Sequence, residues 1–186
     1  QVAEALGANL VFTRLRGHGR SGGAMAEATV NDWMMDLAEG LAAARQVGEQ
    51  VVVIASSTGA TLATAAAMDP DLSQDIAAMI FVSPNYGINN PLAPLLTLPA
   101  VRYWLPPLAG HQRSFPVRNA EHETFWTNSY PSVAVLPMAA LVDRVVKMDI
   151  EHIDVPTLFW ISSEDQVVRP DLTALVADRW GGVSKI

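Results

Sequence analysis

The chain has 186 residues, half of them hydrophobic, which suits one globular domain with a sizeable core. Its net charge of −7 argues against nucleic-acid binding, because neutralising phosphates needs a basic surface. The absence of cysteine excludes structural disulfides and thiolate metal sites and leaves the compartment undecided; no uninterrupted apolar run approaches the length of a membrane span.

The opening residues, QVAEALGAN, read as the tail of a helix already under way, and the closing GGVSKI as the beginning of a strand. The segment is therefore expected to be the middle of a larger domain. Asn9 to Leu15 reads as a strand and is followed by the turn RGHGRSGG. Gly17, Gly19 and Gly22 match G-x-G-x-x-G, but a dinucleotide site also needs a helix opening at the glycines and an acidic residue ending the next strand. The next helix signal comes only near Thr29, and the next strand ends in Ala55-Ser56. Nucleotide binding is therefore disfavoured.

Thr29 to Val47 is a predicted helix, with Thr29 and Asp32 at capping-box spacing. Val30, Trp33, Met34, Leu37, Leu41 and Ala44 share one face, so the helix should cover a sheet. After Gly48, Val51 to Ala55 forms a short β-branched run that reads as a buried strand. A helix of small residues, Thr58 to Met68, follows at once and stops at Asp69-Pro70; Ile76 to Ser83 is another apolar strand. Strand, helix, strand, helix, strand implies a mostly parallel sheet with helices on both faces.

The pattern breaks at Pro84. Nine of the 12 prolines lie between Pro84 and Pro137, and Tyr86, Tyr103, Trp104, Phe115, Phe125, Trp126 and Tyr130 collect in the same region. With a helix expected from about Ser132 to Met148 and no strand signal, residues 84–153 read as a mainly helical insertion. The core would then comprise residues 1–83 and 154–186, with a strand resuming at Pro156 to Ser162 and a last helix at Asp171 to Trp180.

The corner between the Val51 strand and the Thr58 helix carries Ser56-Ser57-Thr58-Gly59. A buried strand turning sharply into a helix with a serine at the bend is the setting of a nucleophile elbow, usually G-x-S-x-G. Here it reads A-S-S-T-G. The crowded turn needs small residues two places either side of the nucleophile: Ala55 and Gly59 flank Ser57, whereas Ile54 and Thr58 flank Ser56. Ser57 is the candidate. The competing role, a polar residue capping the helix, could be filled equally by Ser56 and leaves the Ala55/Gly59 pairing unexplained.

Three stretches in order, RLRGHGRSGG, ASSTG and ISSEDQVVRP, resemble the α/β-hydrolase superfamily, in particular its capped esterase, monoacylglycerol-lipase and serine-aminopeptidase-like members. The resemblance covers nearly the whole chain. It implies that 84–153 is a cap or lid, and that the segment S-x-x-D-x-V-V, here Ser162, Asp165, Val167 and Val168, supplies the acid that orients a catalytic histidine. Glu164, Asp143, Asp149 and Asp154 are alternatives, while Asp171 after Pro170 suits a helix cap. A buried carboxylate at a strand end holds an imidazole in one tautomer and stabilises the imidazolium.

The resemblance also implies a histidine after the acid. His18, His111, His122 and His152 all precede Asp165. His18 falls where the resembling families keep a structural histidine, His111 and His122 read as pocket-wall or surface residues, and His152 as surface. The catalytic histidine is thus expected roughly ten to twenty residues past Ile186. One oxyanion donor would be the backbone N–H of Thr58; the second would come from a loop upstream of Gln1. As it stands, the chain is expected to be inactive or nearly so.

These readings imply a serine hydrolase acting through an acyl-enzyme on a small carboxylic ester with an apolar acyl or alkyl group, using no metal or organic cofactor. A serine at the elbow argues against dehalogenases, which share the layout but place an aspartate there. An amide or peptide substrate would suit Glu121 and Glu123 in the insertion as holders of an amino terminus. A catalytically inactive binding domain of the same fold is the alternative of another class. Oligomeric state is left open.

Overall fold

The computed structural model describes residues 2–186. Its centre is a four-stranded parallel sheet in the order β1-β2-β5-β6, built from β1 (Val51–Ser56), β2 (Ile76–Val82), β5 (Thr157–Trp160) and β6 (Ser184–Lys185). Register sets Ala55 beside Phe81, Phe81 beside Phe159, and Thr157 beside Ser184. Alternation along the strands therefore puts Val53, Ala55, Met79, Phe81 and Phe159 on one face, and that face carries the core. Phe81 and Phe159 meet edge-to-face at 5.6 Å, and Trp180 closes the cluster at 6.0 and 5.4 Å from them.

Helices cover this face. The longest, α3 (Val30–Val47), follows a short α1 (Val2–Leu6) and α2 (Gly22–Glu27). Thr29 caps α3: its side chain accepts from the Asp32 amide at 3.2 Å, and the Asp32 carboxylate accepts from the Thr29 amide at 2.9 Å, as the spacing predicted. Trp33 and Leu41 are buried, with Val30, Met34, Leu37 and Ala44 packed beside them. Behind β1, α4 (Thr58–Ala67) is built from Ala, Thr, Gly and one Leu, and seven of its residues are buried. Small side chains let its backbone lie close to the sheet. Asp69 ends that run and caps α5 (Pro70–Ser73), through a bond from the Asp71 amide at 2.9 Å.

Three expectations need correction. Asn9 to Leu15 forms no strand. It runs extended along α3, with Asn9 donating to the Val47 carbonyl at 2.5 Å, Thr13 against Gly40, and the Trp33 indole donating to the Arg16 carbonyl at 3.0 Å. A strand needs a ladder partner, and among the described residues none pairs with it; Phe12 is 87% exposed. Second, a helix does open at the glycines: α2 starts at Gly22, capped by Ser21. It is one and a half turns long, and β1 still ends without an acidic residue, so the dinucleotide reading gains nothing.

Third, the insertion contains strands. Between β2 and β5 lie α6 (Val101–Ala109), β3 (Gln112–Ser114), α7 (Ala120–Phe125), β4 (Ser129–Pro131) and α8 (Leu136–Val145), and β3 pairs antiparallel with β4. The pairs are polar and exposed, so no apolar alternation marked them in the sequence. The expected helix near 132–148 divides into a 3₁₀ turn, Ser132–Val135, and α8, with Pro137 in the first turn of α8. Leu141 and Val145 of α8 join the main core, and α8 packs on α4. The remaining helix, α9 (Pro170–Asp178), follows β5 and buries Val176 and Ala177.

On the opposite face of the sheet, Val52, Ile54, Val82 and Trp160 are exposed among the described residues. The expectation of helices on both faces is therefore met by this chain on one of them. No described helix is long and apolar enough to cross a membrane.

Gly17 shows what the glycine-rich turn requires. Its φ is +85°, and a Cβ there would lie 2.8 Å from the Ala24 carbonyl oxygen and 2.8 Å from Met25 Cα. Gly17→Ala is expected to lower the unfolding free energy by about 1–3 kcal/mol in urea titration. Gly19→Ala should cost less, because its φ of +62° is similar but its nearest contact is 3.7 Å away.

Candidate active site

The carboxyl edge of the parallel sheet gathers the residues singled out above. Ser57 stands where β1 turns into α4, with φ 51° and ψ −123°. That conformation is sparsely populated for a residue with a Cβ and costs on the order of 1–3 kcal/mol. The surroundings hold it there. Its N–H donates to the Val82 carbonyl at 3.0 Å, and its own carbonyl accepts from Ala60 at 3.0 Å, Thr61 at 3.4 Å and Asn85 at 3.2 Å. Its side chain makes no helix-capping hydrogen bond, which removes the competing role. A Cβ on Gly59 would lie 4.0 Å from Ala55 Cβ, so the two small positions do face each other across the bend.

Thr58 is the first residue of α4, and its N–H belongs to the orphan donors of a helix start. These point outward from the positive end of the helix dipole, at the same corner as Ser57. An anion forming there would be stabilised.

Asp165 lies in the turn after β5. Its Oδ1 accepts from the amides of Val167 at 2.8 Å and Val168 at 3.0 Å. Burial raises its pKa, but those two amides and a hydrogen bond from the Ser83 side chain outweigh it, leaving the carboxyl below the usual value. The turn is stitched to the start of the insertion: Asn89 donates to the Val167 carbonyl at 2.9 Å and Arg169 to the Gly87 carbonyl at 2.8 Å. Ser57 follows β1 and Asp165 follows β5, with β2 between them. Two strand spacings put them about 10 Å apart, too far for direct contact and suited to an imidazole between them.

Of the other acids, Glu164 is exposed, Asp143 pairs with Lys147 at 2.6 Å, and Asp171 pairs with Arg169. Asp149 and Asp154 flank the short 3₁₀ turn before β5, at the end of the sheet opposite Ser57. No histidine hydrogen-bonds to Ser57 or Asp165 among the described residues. His18 lies edge-on to Trp33 at 5.7 Å, and His122 accepts from the Arg118 amide at 3.1 Å while stacking on Phe115. His111 and His152 are exposed. No cluster of three metal-ligating side chains occurs among the described residues.

Two neighbours escaped sequence reasoning. Ser83 directly follows β2 with φ 43°, and its amide donates to the Trp160 carbonyl at 2.8 Å. Its only sequence signal was a serine between an apolar strand and a proline. Asn85 is 2% exposed and sits against the Ser57 carbonyl. Tyr86, read as an insertion aromatic, is instead core: it is 1% exposed and shares a 2.7 Å hydrogen bond with Thr64. Burial pushes its phenol far above the ordinary value, against the Thr64 bond, so it stays protonated. A cavity of about 340 Å³ opens beside Asn85, lined by Ile88, Pro94, Leu96, Met138 and Val142 and by no aromatic residue. Tyr103, Phe125 and Trp126, also among the aromatic residues of the insertion, are exposed.

This topology, with the bent serine at the carboxyl edge of a parallel sheet, is that of an α/β-hydrolase. Residues 4–185 match the model of the family described as serine aminopeptidase, S33, and the chain belongs to that family. Among curated protein sequences none matches it. Of solved structures, one described with two metagenome-derived lipolytic enzymes superposes with TM-score 0.69 at 19% identity, over 92% of this chain and 68% of its own. A monoacylglycerol lipase of Paleococcus ferrophilus gives 0.63 at 15%, over 91% and 70%. A soluble variant of the monoglyceride lipase of Saccharomyces cerevisiae, solved with a substrate analogue, gives 0.64 at 13%, over 91% and 65%. At these identities the likeness is one of fold, and the chain spans about two thirds of each structure's length.

Proposed function

We propose that this chain carries the nucleophile and the acid of a serine hydrolase that cleaves small carboxylic esters with apolar groups. Ser57 attacks the ester carbonyl, and a histidine beyond Ile186 takes its proton. Asp165 orients that histidine, and the Thr58 N–H helps hold the oxyanion. The acyl-enzyme is then released by water. Residues 84–153 act as the cap over this edge, anchored to the core by α8. The observation that carries the reading is the strained backbone of Ser57 with its hydroxyl free of any cap. β6 supports the place of the histidine, since it runs parallel to β5 and so heads toward the edge that holds Asp165.

No metal or organic cofactor is required by this chemistry. The test is a pre-steady-state burst with a p-nitrophenyl ester on the whole protein. One equivalent of p-nitrophenol released before steady turnover supports the acyl-enzyme; a folded protein with no burst and no turnover opposes it. The family's name makes an amide or peptide substrate the second reading. Glu121 and Glu123, which would hold an amino terminus, are exposed on α7, so ester cleavage is preferred. A non-catalytic binding domain would be favoured by a whole protein that folds and has no histidine after the acid.

Ser83 is a positioning residue in this scheme. Its hydroxyl is one of three groups that lower the Asp165 pKa. Ser83→Ala is expected to raise the Asp165 titration midpoint, read by carboxyl ¹³C chemical shift. Because the folded pKa is depressed, the carboxylate stabilises the fold above about pH 4, and this is lost as pH falls through the folded value. The variant should therefore be less stable than the parent above about pH 4, neutral pH included, and the difference should vanish as pH falls through the folded values.

A further inference from the structure

After Ser83 the chain enters the insertion along residues 84–89, and the backbone of that run is tied to two corners of the sheet edge. At the first corner the Asn85 N–H donates to the Ser57 carbonyl at 3.2 Å, and the Asn85 carbonyl accepts from the Thr61 hydroxyl of α4 at 2.6 Å. Tyr86, 1% exposed, shares its 2.7 Å hydrogen bond with Thr64 of the same helix. At the second corner the Arg169 N–H donates to the Gly87 carbonyl at 2.8 Å and the Asn89 N–H to the Val167 carbonyl at 2.9 Å. Between those two bonds Ile88 and Val168 face each other as a single antiparallel pair. Gly87 lies so close to α9 that Leu172 leaves no room for a Cβ. This short run therefore spans from the helix start that carries Ser57 to the turn that carries Asp165.

The second corner holds a finer connection. The Val167 carbonyl and the Val168 N–H belong to one planar peptide group. Its oxygen accepts from Asn89, and its N–H donates to Asp165 Oδ1 at 3.0 Å. Fixing the oxygen fixes the direction in which the N–H points. A hydrogen bond accepted at the oxygen also polarises the N–H as a donor. Asn89 thus acts on the Asp165 carboxylate without touching it, through its backbone alone, and its side chain is exposed.

We propose that residues 84–89 form a strap that sets the spacing between Ser57 and Asp165. Within it Asn89 is a positioning residue, acting through the Val167–Val168 peptide group to aim the amide that holds the carboxylate. The proposal rests on the roles given above to Ser57 and Asp165. A carboxylate that drifts by about 1 Å no longer aligns an imidazole with the nucleophile, and misplacement of that size costs up to the order of 10²-fold in rate.

The test removes the Asn89 N–H. Asn89 is the middle of a tight turn in which the Asn90 N–H donates to the Ile88 carbonyl at 2.8 Å, and its φ is negative. That is an inverse γ-turn, with φ of about −75°, which proline adopts. Ile88, extended in its antiparallel pair, suits the position before a proline. Asn89→Pro therefore deletes one donor and keeps the path of the chain. In the whole protein it should raise the titration midpoint of the Asp165 carboxyl, read by its ¹³C shift without substrate. It should also lower kcat on a p-nitrophenyl ester about tenfold with KM unchanged. Asn89→Ala keeps the N–H and should restore both readings. An ester in place of the residue-89 amide, introduced as an α-hydroxy acid, removes the same hydrogen without a ring. It should move the midpoint as proline does, and it decides the matter if the proline variant does not fold. A midpoint unmoved by the ester, or moved equally by Asn89→Ala, overturns the proposal. A midpoint that moves as expected in a protein without turnover defeats the hydrolase reading alone.

Discussion

Replacing Ser57 by alanine is expected to reduce ester hydrolysis by the whole protein on the order of 10⁶-fold in kcat, with the fold retained. The variant keeps the Cβ, so it keeps the strained φ of 51° and ψ of −123°, and it loses no hydrogen bond of the helix start. Thermal stability should be close to that of the parent. Ser57→Gly should be equally inactive yet more stable than Ser57→Ala by about 1 kcal/mol, since glycine adopts this conformation without a Cβ clash. Gaining stability by losing the side chain is the mark of a residue kept for chemistry. If Ser57→Gly is instead destabilising and activity survives either change, the serine is structural.

Asp165→Asn is the second large effect, on the order of 10⁴-fold in kcat with KM little changed. An asparagine Oδ1 can still accept from the amides of Val167 and Val168, so the turn should hold. What is lost is the charge that stabilises an imidazolium. Because the carboxyl sits below its usual pKa, it stays ionised well under neutral pH. The acid limb of the pH–rate profile should therefore report the histidine rather than Asp165. A variant that keeps nearly full activity would move the acid elsewhere, with Glu164 next to be tested.

Much of the fold was legible because it was written in short-range patterns. The Val51 and Ile76 runs are continuous apolar strands, and the Thr29/Asp32 box fixes the start of α3. The turn from β1 into α4 was legible too, because the apolar run ends at Ser56 and small helix-forming residues follow at once. What failed depended on partners distant in sequence. Asn9 to Leu15 has strand composition, but pairing decides strands, and this segment lies on α3 without a ladder. The β3/β4 ribbon is polar and three residues long on each side, below what alternation can reveal. Ser83 and Asn85 matter through contacts with Asp165 and Ser57, which no local pattern announces.

The most direct measurement is fluorophosphonate labelling of the whole folded protein, followed by peptide mass spectrometry. A single adduct on the peptide containing Ser57, lost in Ser57→Ala, is the expected result. An adduct on Ser56 or another residue, or none in a folded protein that has a histidine after Asp165, would contradict the assignment of Ser57 as the nucleophile.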